Sequence, residues 1–213
     1  MQVVLLQKLT SRKYKVTLED GLSFPLYAGE VRTYGIREGG QISREALTEI
    51  MDDVLTRRAK IRCLHLLEKM DRTEGQLREK LTRDGYPEEI TERAVAYAAS
   101  FHYIDDDRYA QTYVRQQMTR KSRRQIEADL MRRGLDRELI SRAYETCVQE
   151  AGESDADPET EAILKLAKKR RYDPDAADAQ ETAGFVRYLM QKGFSYRTAQ
   201  KALARCSADG QDW

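Results

Sequence analysis

One spacing recurs three times along the 213-residue chain and restricts its fold more than any other feature. It reads Leu77-x-x-x-Leu81-x-x-x-Gly85-Tyr86, then Ile126-x-x-x-Leu130-x-x-x-Gly134-Leu135, then Phe185-x-x-x-Leu189-x-x-x-Gly193-Phe194. Apolar residues eight and four positions before the glycine share one helix face. A glycine followed by an apolar residue marks a left-handed helix stop that folds back on its own helix. Each glycine is therefore expected to end a helix. Beyond it the register continues, with Ala94, Ala143 and Ala202 at plus nine, Val95, Tyr144 and Leu203 at plus ten, and Ala98, Cys147 and Cys206 at plus thirteen. Small residues thus recur where helices must approach closely. Each repeat needs a leading, a middle and a closing helix, so the expected fold is mainly α: three tandem three-helix repeats forming an elongated, curved solenoid.

Upstream of the glycines, Thr73-x-x-Gln76 and Ser122-x-x-Gln125 match the capping box, in which a hydroxyl and an amide satisfy each other's orphan amides. The third copy has Glu181 and Gly184 in those places, and its glycine follows Gly134 by 59 residues instead of the 49 between the first two, which predicts an insertion near Tyr172 to Gln180. Residues 1–42 read differently, as β-prone runs Val3 to Leu9, Tyr14 to Leu18 and Leu22 to Leu26, with Asp20-Gly21 as a turn signal. They are expected to form a small N-terminal β-hairpin extension. Ser43 is placed to cap the next helix, on which Leu47, Ile50, Met51, Val54 and Leu55 recur at helical spacing. The predicted organisation is repeat 1 over 43–103, repeat 2 over 104–150, a linker over 151–158, repeat 3 over 159–208 and a tail over 209–213.

Charge decides which functions remain open. With 37 Lys and Arg against 36 Asp and Glu, the chain cannot be held to nucleic acid by bulk charge, although local basic faces are possible. No basic, apolar leader opens the sequence, and its longest apolar run, Ala94 to Ala99, is far shorter than the roughly 20 residues a bilayer crossing needs. A soluble, cytoplasmic protein without membrane contact is expected. Cys63, Cys147 and Cys206 stand singly, which supports neither a disulfide framework nor a zinc site. No phosphate-binding loop matches, and His65 and His102 lack the partner spacing of a metal or catalytic pair. The expectation is a protein that is not an enzyme and uses no cofactor or metal. The run Asp105-Asp106-Asp107 lacks the alternation and glycine of a calcium loop; capping of the following helix is favoured over partner contact, and metal binding is least favoured.

The basic residues carry more information. Arg115, Arg120, Lys121, Arg123 and Arg124 arrive with no acidic residue until Glu127, and Arg132 and Arg133 follow. Such a bias predicts a positive face able to meet phosphates or a carboxylate-rich protein groove, with a solvated charged face as the plain alternative. Lys168, Lys169, Arg170 and Arg171 form a second cluster ending in Tyr172, an aromatic that suits either a base or its own helix end. No heptad or broad apolar edge is present, which favours a monomer.

The strand-bearing head, the segment Tyr103-Ile104-Asp105-Asp106-Asp107-Arg108-Tyr109-Ala110 and the repeated glycine-stopped helices resemble the bacterial regulatory protein RecX family over nearly the whole chain. The helix Gln76-Leu77-Arg78-Glu79-Lys80-Leu81 is similar to that family's E-L-x-x-K-L stretch, with Gln76 in place of glutamate. The resemblance implies a cytoplasmic modulator that lies in the groove of the RecA filament on DNA and restrains filament growth, ATP hydrolysis, strand exchange and repressor self-cleavage in the SOS response. On that reading Arg120, Lys121, Arg123, Arg124, Arg132 and Arg133 engage the filament, while Tyr103, Asp105, Asp106, Arg108, Tyr109 and Ala110 set the angle between repeats 1 and 2. The competing expectation is a helix-turn-helix protein that binds DNA, single- or double-stranded, without RecA.

Overall fold

The computed structural model describes residues 1–152 and 157–208, with side chains as far as 205. Parts of the predicted linker, the tail and the Cys206 side chain lie outside the described residues. The chain divides into two compact units, Met1–Asp105 and Asp106–Trp213.

The head is a three-stranded antiparallel meander, with one strand on each of the three β-prone runs. Strands β1 (Val3–Lys8), β2 (Lys13–Leu18) and β3 (Ser23–Tyr27) lie in sequence order. Gly21 adopts φ 86° in the β2–β3 turn, where a side chain would be strained. Pro25, which has no amide to donate, lies on an edge strand, where that loss is tolerated. A short helix α1 (Ala28–Thr33) follows. The sheet does not stand apart from the helices: Val3, Val16, Phe24 and Leu26 share one core with Leu77, Leu81, Ala94 and Ala98.

Ser43 caps helix α2 (Arg44–Glu49) by accepting the Ala46 amide at 3.1 Å. The chain passes through a π-helical turn, Ile50–Leu55, into α3 (Thr56–Leu67). There the Thr56 hydroxyl donates to the Met51 carbonyl five residues back, at 2.8 Å, and the buried residues Ile50 and Leu55 are five apart. The remaining helices are α4 (Glu74–Arg83), α5 (Glu88–Ser100), α6 (Asp106–Gln117), α7 (Arg123–Met131), α8 (Arg137–Glu150), α9 (Pro158–Arg170), α10 (Ala179–Gln191) and α11 (Tyr196–Ala208).

All three glycines end their helices as the spacing predicts. Gly85, Gly134 and Gly193 have φ of 97°, 85° and 88°. The amide after each reaches back to the carbonyl of Leu81, Leu130 or Leu189, which satisfies the helix end and buries Tyr86, Leu135 and Phe194. The leading helix of each repeat packs on its closing helix, α3 on α5, α6 on α8 and α9 on α11. Small buried residues line these pairs, Ala94, Ala143 and Ala202 among them. Cys63 and Cys147 are buried free thiols, and burial pushes the Cys63 thiol up to about 11.

The helix starts depart from the repeat pattern. The full capping box forms at Thr73 and Gln76, but at Ser122 only the hydroxyl half forms. The third copy does have a box, one turn earlier than its alignment implies, between Asp178 and Glu181. This lengthens α10 to 13 residues, against 10 in α4 and 9 in α7. Two further stops use the same backbone turn without glycine, at His102 (φ 56°) and Arg171 (φ 53°).

Candidate interaction surface

The basic residues predicted in the second repeat lie on α6, on α7 and in the turns that follow each, and most are occupied within the repeat. The Lys121 ammonium donates to Asp129 at 2.7 Å and to the Tyr113 hydroxyl at 3.0 Å, and that hydroxyl donates to Asp129 at 2.8 Å. Arg132 pairs with the other Asp129 oxygen. Burial alone would raise the Asp129 carboxyl, but the hydrogen bonds from Lys121 and Tyr113 hold it below the usual range. Arg133 lies 4.2 Å from the Tyr113 ring centre and donates to the Tyr109 hydroxyl at 2.5 Å. Arg123 reaches Glu127 at 2.7 Å and Ser141 at 2.9 Å and covers the Tyr144 ring, and Arg115 pairs with Glu150 at 2.8 Å. These contacts tie α6 to α7 and α8.

Two predicted cations remain open. Arg120 and Arg124 are exposed and make no side-chain pair among the described residues. Arg124 borders a groove of about 490 Å³ between α7 and α8, whose other wall carries Arg137, also exposed and unpaired among the described residues. Arg137 was not singled out from the sequence, because it sits alone beside Asp136 and Glu138. Its only signal was its place in the first turn of a closing helix.

Repeats 2 and 3 meet at a defined seam. Ser122 accepts the Gln125 amide and donates its own proton to the Lys192 carbonyl at the end of α10, at 2.8 Å. The Arg123 amide donates to Glu159 of α9 at 2.7 Å. Burial raises the Glu159 carboxyl, partly opposed by that hydrogen bond. A Cβ on Gly193 would fall 2.7 Å from Ser122 Oγ, so this glycine serves both the helix stop and the seam.

The third repeat leaves its cations in solvent. Lys168, Lys169 and Arg171 are exposed and unpaired among the described residues, and Arg170 lies over Tyr188 at 3.8 Å. They end α9, where positive charge suits the helix dipole. Tyr172 is not available to a base: its ring stacks on Phe185 at 4.2 Å and its hydroxyl donates to Thr182. Helix α11 contains no acidic residue, and its Arg197 and Lys201 are exposed and unpaired among the described residues.

In the Tyr103–Ala110 segment, Asp106 and Asp107 occupy the first turn of α6, and Asp107 pairs with Arg142 at 3.2 Å. Asp105 and Arg108 are exposed, Ala110 is buried, and Tyr103 is exposed and stacks on Phe101. Tyr109 packs against the core of its own repeat. Among the described residues no group of His, Cys, Asp and Glu is arranged to hold a metal ion, and no helix is long and apolar enough to cross a membrane.

The same two repeats are picked out by comparison with known proteins. Residues 59–97 match the RecX first three-helix domain and residues 105–143 the RecX second three-helix domain. The regulatory protein RecX of Caldanaerobacter subterraneus subsp. tengcongensis is 28% identical over 200 residues, 93% of this chain and 96% of the relative. That of Clostridioides difficile is 27% identical over 200 residues, 92% and 91% of the two chains. A crystal structure of a regulatory protein RecX matches with a TM-score of 0.60 at 22% identity, covering 93% of this chain and 97% of that one. A second, RecX from Lactobacillus salivarius, also gives 0.60, over 72% of this chain and 97% of its own. With relatives aligned over more than nine-tenths of both chains and two RecX domains falling on its first two glycine-stopped repeats, the chain is similar to the RecX regulatory proteins along nearly its whole length.

Proposed function

We propose that this chain is a non-enzymatic, cytoplasmic regulatory protein that binds the RecA filament as a monomer and restrains its assembly, ATPase, strand exchange and coprotease activity. The reading rests on similarity to the RecX proteins, since those relatives are named regulatory proteins. The observation that carries a binding mode is the set of cations left without partners among the described residues: Arg120, Arg124 and Arg137 in repeat 2, and Lys168, Lys169 and Arg171 in repeat 3. A paired cation gives up its internal bond before it can serve a partner, whereas an unpaired one is free to act. Lys121, Arg123, Arg132 and Arg133 therefore act as internal ties, and the filament contact moves to the unpaired set. The Tyr103–Ala110 segment joins repeats 1 and 2.

The test is RecA's ATPase on single-stranded DNA with this protein titrated in, alongside DNA alone at two salt concentrations. Inhibition well below the DNA-binding range is expected, and replacing Arg120, Arg124 and Arg137 by Ala should weaken it with helical content unchanged. A second reading, direct duplex binding, is favoured by the acid-free helix α11. Salt-sensitive duplex binding without any effect on RecA would select it.

A further inference from the structure

The unit Met1–Asp105 contains a pocket of about 730 Å³ in which the sheet meets α3 and the end of α4. Lys13 and Tyr27 are paired across β2 and β3, which sets an ammonium beside an aromatic ring. Arg58 lies over that ring at 4.4 Å and pairs with Glu30. Arg62 and Lys80 share one carboxylate, Asp84, at 2.8 and 3.2 Å. The Lys13 ammonium closes no ion pair among the described residues; it donates to the Asp84 main-chain carbonyl at 2.8 Å, with the Asp84 carboxylate near enough to attract it. Three cations, Lys13, Arg58 and Arg62, thus line the pocket with two carboxylates, Asp84 and Glu68, the latter turned to His65. Burial is the main cause that lowers the Lys13 pKa; the Asp84 carboxylate opposes it, and Arg58, Arg62 and Lys80 add to it.

A purely structural staple between sheet and helices needs neither an ammonium without an ion pair nor an exposed aromatic wall. Here Tyr27 is 46% and Ile61 58% exposed at the mouth. Clustered cations call for an anion of more than one charge or several oxygens, and the half-open ring calls for a flat group on it. A carboxylate supplies the charge without the flat partner, whereas a nucleotide supplies both.

We propose that this pocket is a nucleotide-binding site, taking a phosphate at Lys13, the lining Lys or Arg without an ion pair among the described residues, and stacking the attached base on Tyr27. The phosphate and base belong either to a free nucleotide or to a step of a single strand. The proposal is independent of RecA and of the unpaired cations in repeats 2 and 3.

The experiment measures anisotropy of a fluorescein-labelled thymidine 12-mer with the full-length chain, in a Lys168, Lys169 and Arg171→Ser background so that the first unit is read with little contribution from the third repeat. K13Q keeps a donor for the Asp84 carbonyl and should weaken binding while reducing the salt slope by about 0.7, the loss of one phosphate contact. Y27L keeps an apolar wall and should weaken binding about five- to a hundredfold with the slope unchanged, as expected for one lost stacking contact. ADP that displaces the 12-mer at matched concentration assigns the site to free nucleotide; ADP that fails assigns it to a strand. No binding by the parent, equal binding by both folded variants, or displacement by poly-glutamate at equal charge concentration would overturn the proposal.

Discussion

Repeats 2 and 3 both carry basic clusters, yet most of those in repeat 2 are paired within the repeat and most of those in repeat 3 are not, among the described residues. In repeat 2, Lys121, Arg132 and Arg133 close on Asp129, Tyr109 and Tyr113, and the residues that look most like a binding face in the sequence bind the repeat to itself. In repeat 3, Lys168, Lys169 and Arg171 face solvent. The difference arises from what stands one turn away. Asp129 lies within reach of α6 and α7, whereas α9 ends in cations with no acid on the adjoining turn until Asp173. A run of basic residues therefore reports a surface only after its local acids have been counted, helix by helix.

The largest test of whether the repeats differ only in charge is in their cores. Leu130 and Leu189 are equivalent and fully buried, so Leu130→Ala and Leu189→Ala should each cost about 2 to 5 kcal/mol in chemical denaturation. Matching losses would show that the cores are alike beneath unlike surfaces, and a much smaller loss in one would break the equivalence.

Next in size is the pair of glycine stops. Gly85→Ala meets only Pro25 at ordinary contact, 3.9 Å, and should cost about 1 kcal/mol from backbone strain. Gly193→Ala adds a clash with Ser122 Oγ and should cost about 2 to 3 kcal/mol, most of it restored by combining it with Ser122→Gly. Thermal melts of the single and double variants measure this; additive losses would remove the seam from the account.

The polar tie of repeat 2 predicts smaller changes. Tyr113→Phe removes the hydroxyl shared by Lys121 and Asp129 and should cost about 1 kcal/mol. Acid sharpens the contrast. Asp129 is depressed, so its contribution is present above the ordinary value of about 3.9 and is lost as pH falls through the folded one. Glu159 is raised, so its contribution is present below about 4.3 and is lost as pH rises through its higher folded value. Denaturation midpoints between pH 3 and 6 should gain acid sensitivity in Glu159→Gln and lose it in Asp129→Asn. The smallest expected effect is on Lys168, Lys169 and Arg171→Ser, which should stay within about 0.5 kcal/mol of the parent because no internal bond is lost.

The helical architecture was legible because periodicity and glycine stops are local: Leu77, Ile126 and Phe185 predicted buried faces, and each is buried. The three strands were readable for the same reason. What escaped depended on residues distant in sequence. The joining of Val16 and Phe24 to the helical core, the Ser122–Lys192 bond and the Lys13–Asp84 contact span tens of residues and leave no periodic trace. The stops at His102 and Arg171 escaped because a left-handed residue without glycine has no distinctive letter. The earlier capping box of α10 escaped because Asp178 falls within the stretch read as an insertion.

The seam between Ser122 and Lys192 also bears on the order in which the chain is made. Repeat 2 is complete by residue 150, yet the Arg123 amide at the start of α7 finds its acceptor only when Glu159 has emerged, and Ser122 finds the Lys192 carbonyl later still. During synthesis, at roughly 5 to 20 residues per second, α7 spends several seconds with its first turn waiting on water in place of protein. A nascent chain arrested before residue 159 should therefore show faster amide exchange at Arg123 than one arrested after residue 193, when the last repeat has closed the turn that the second one left open.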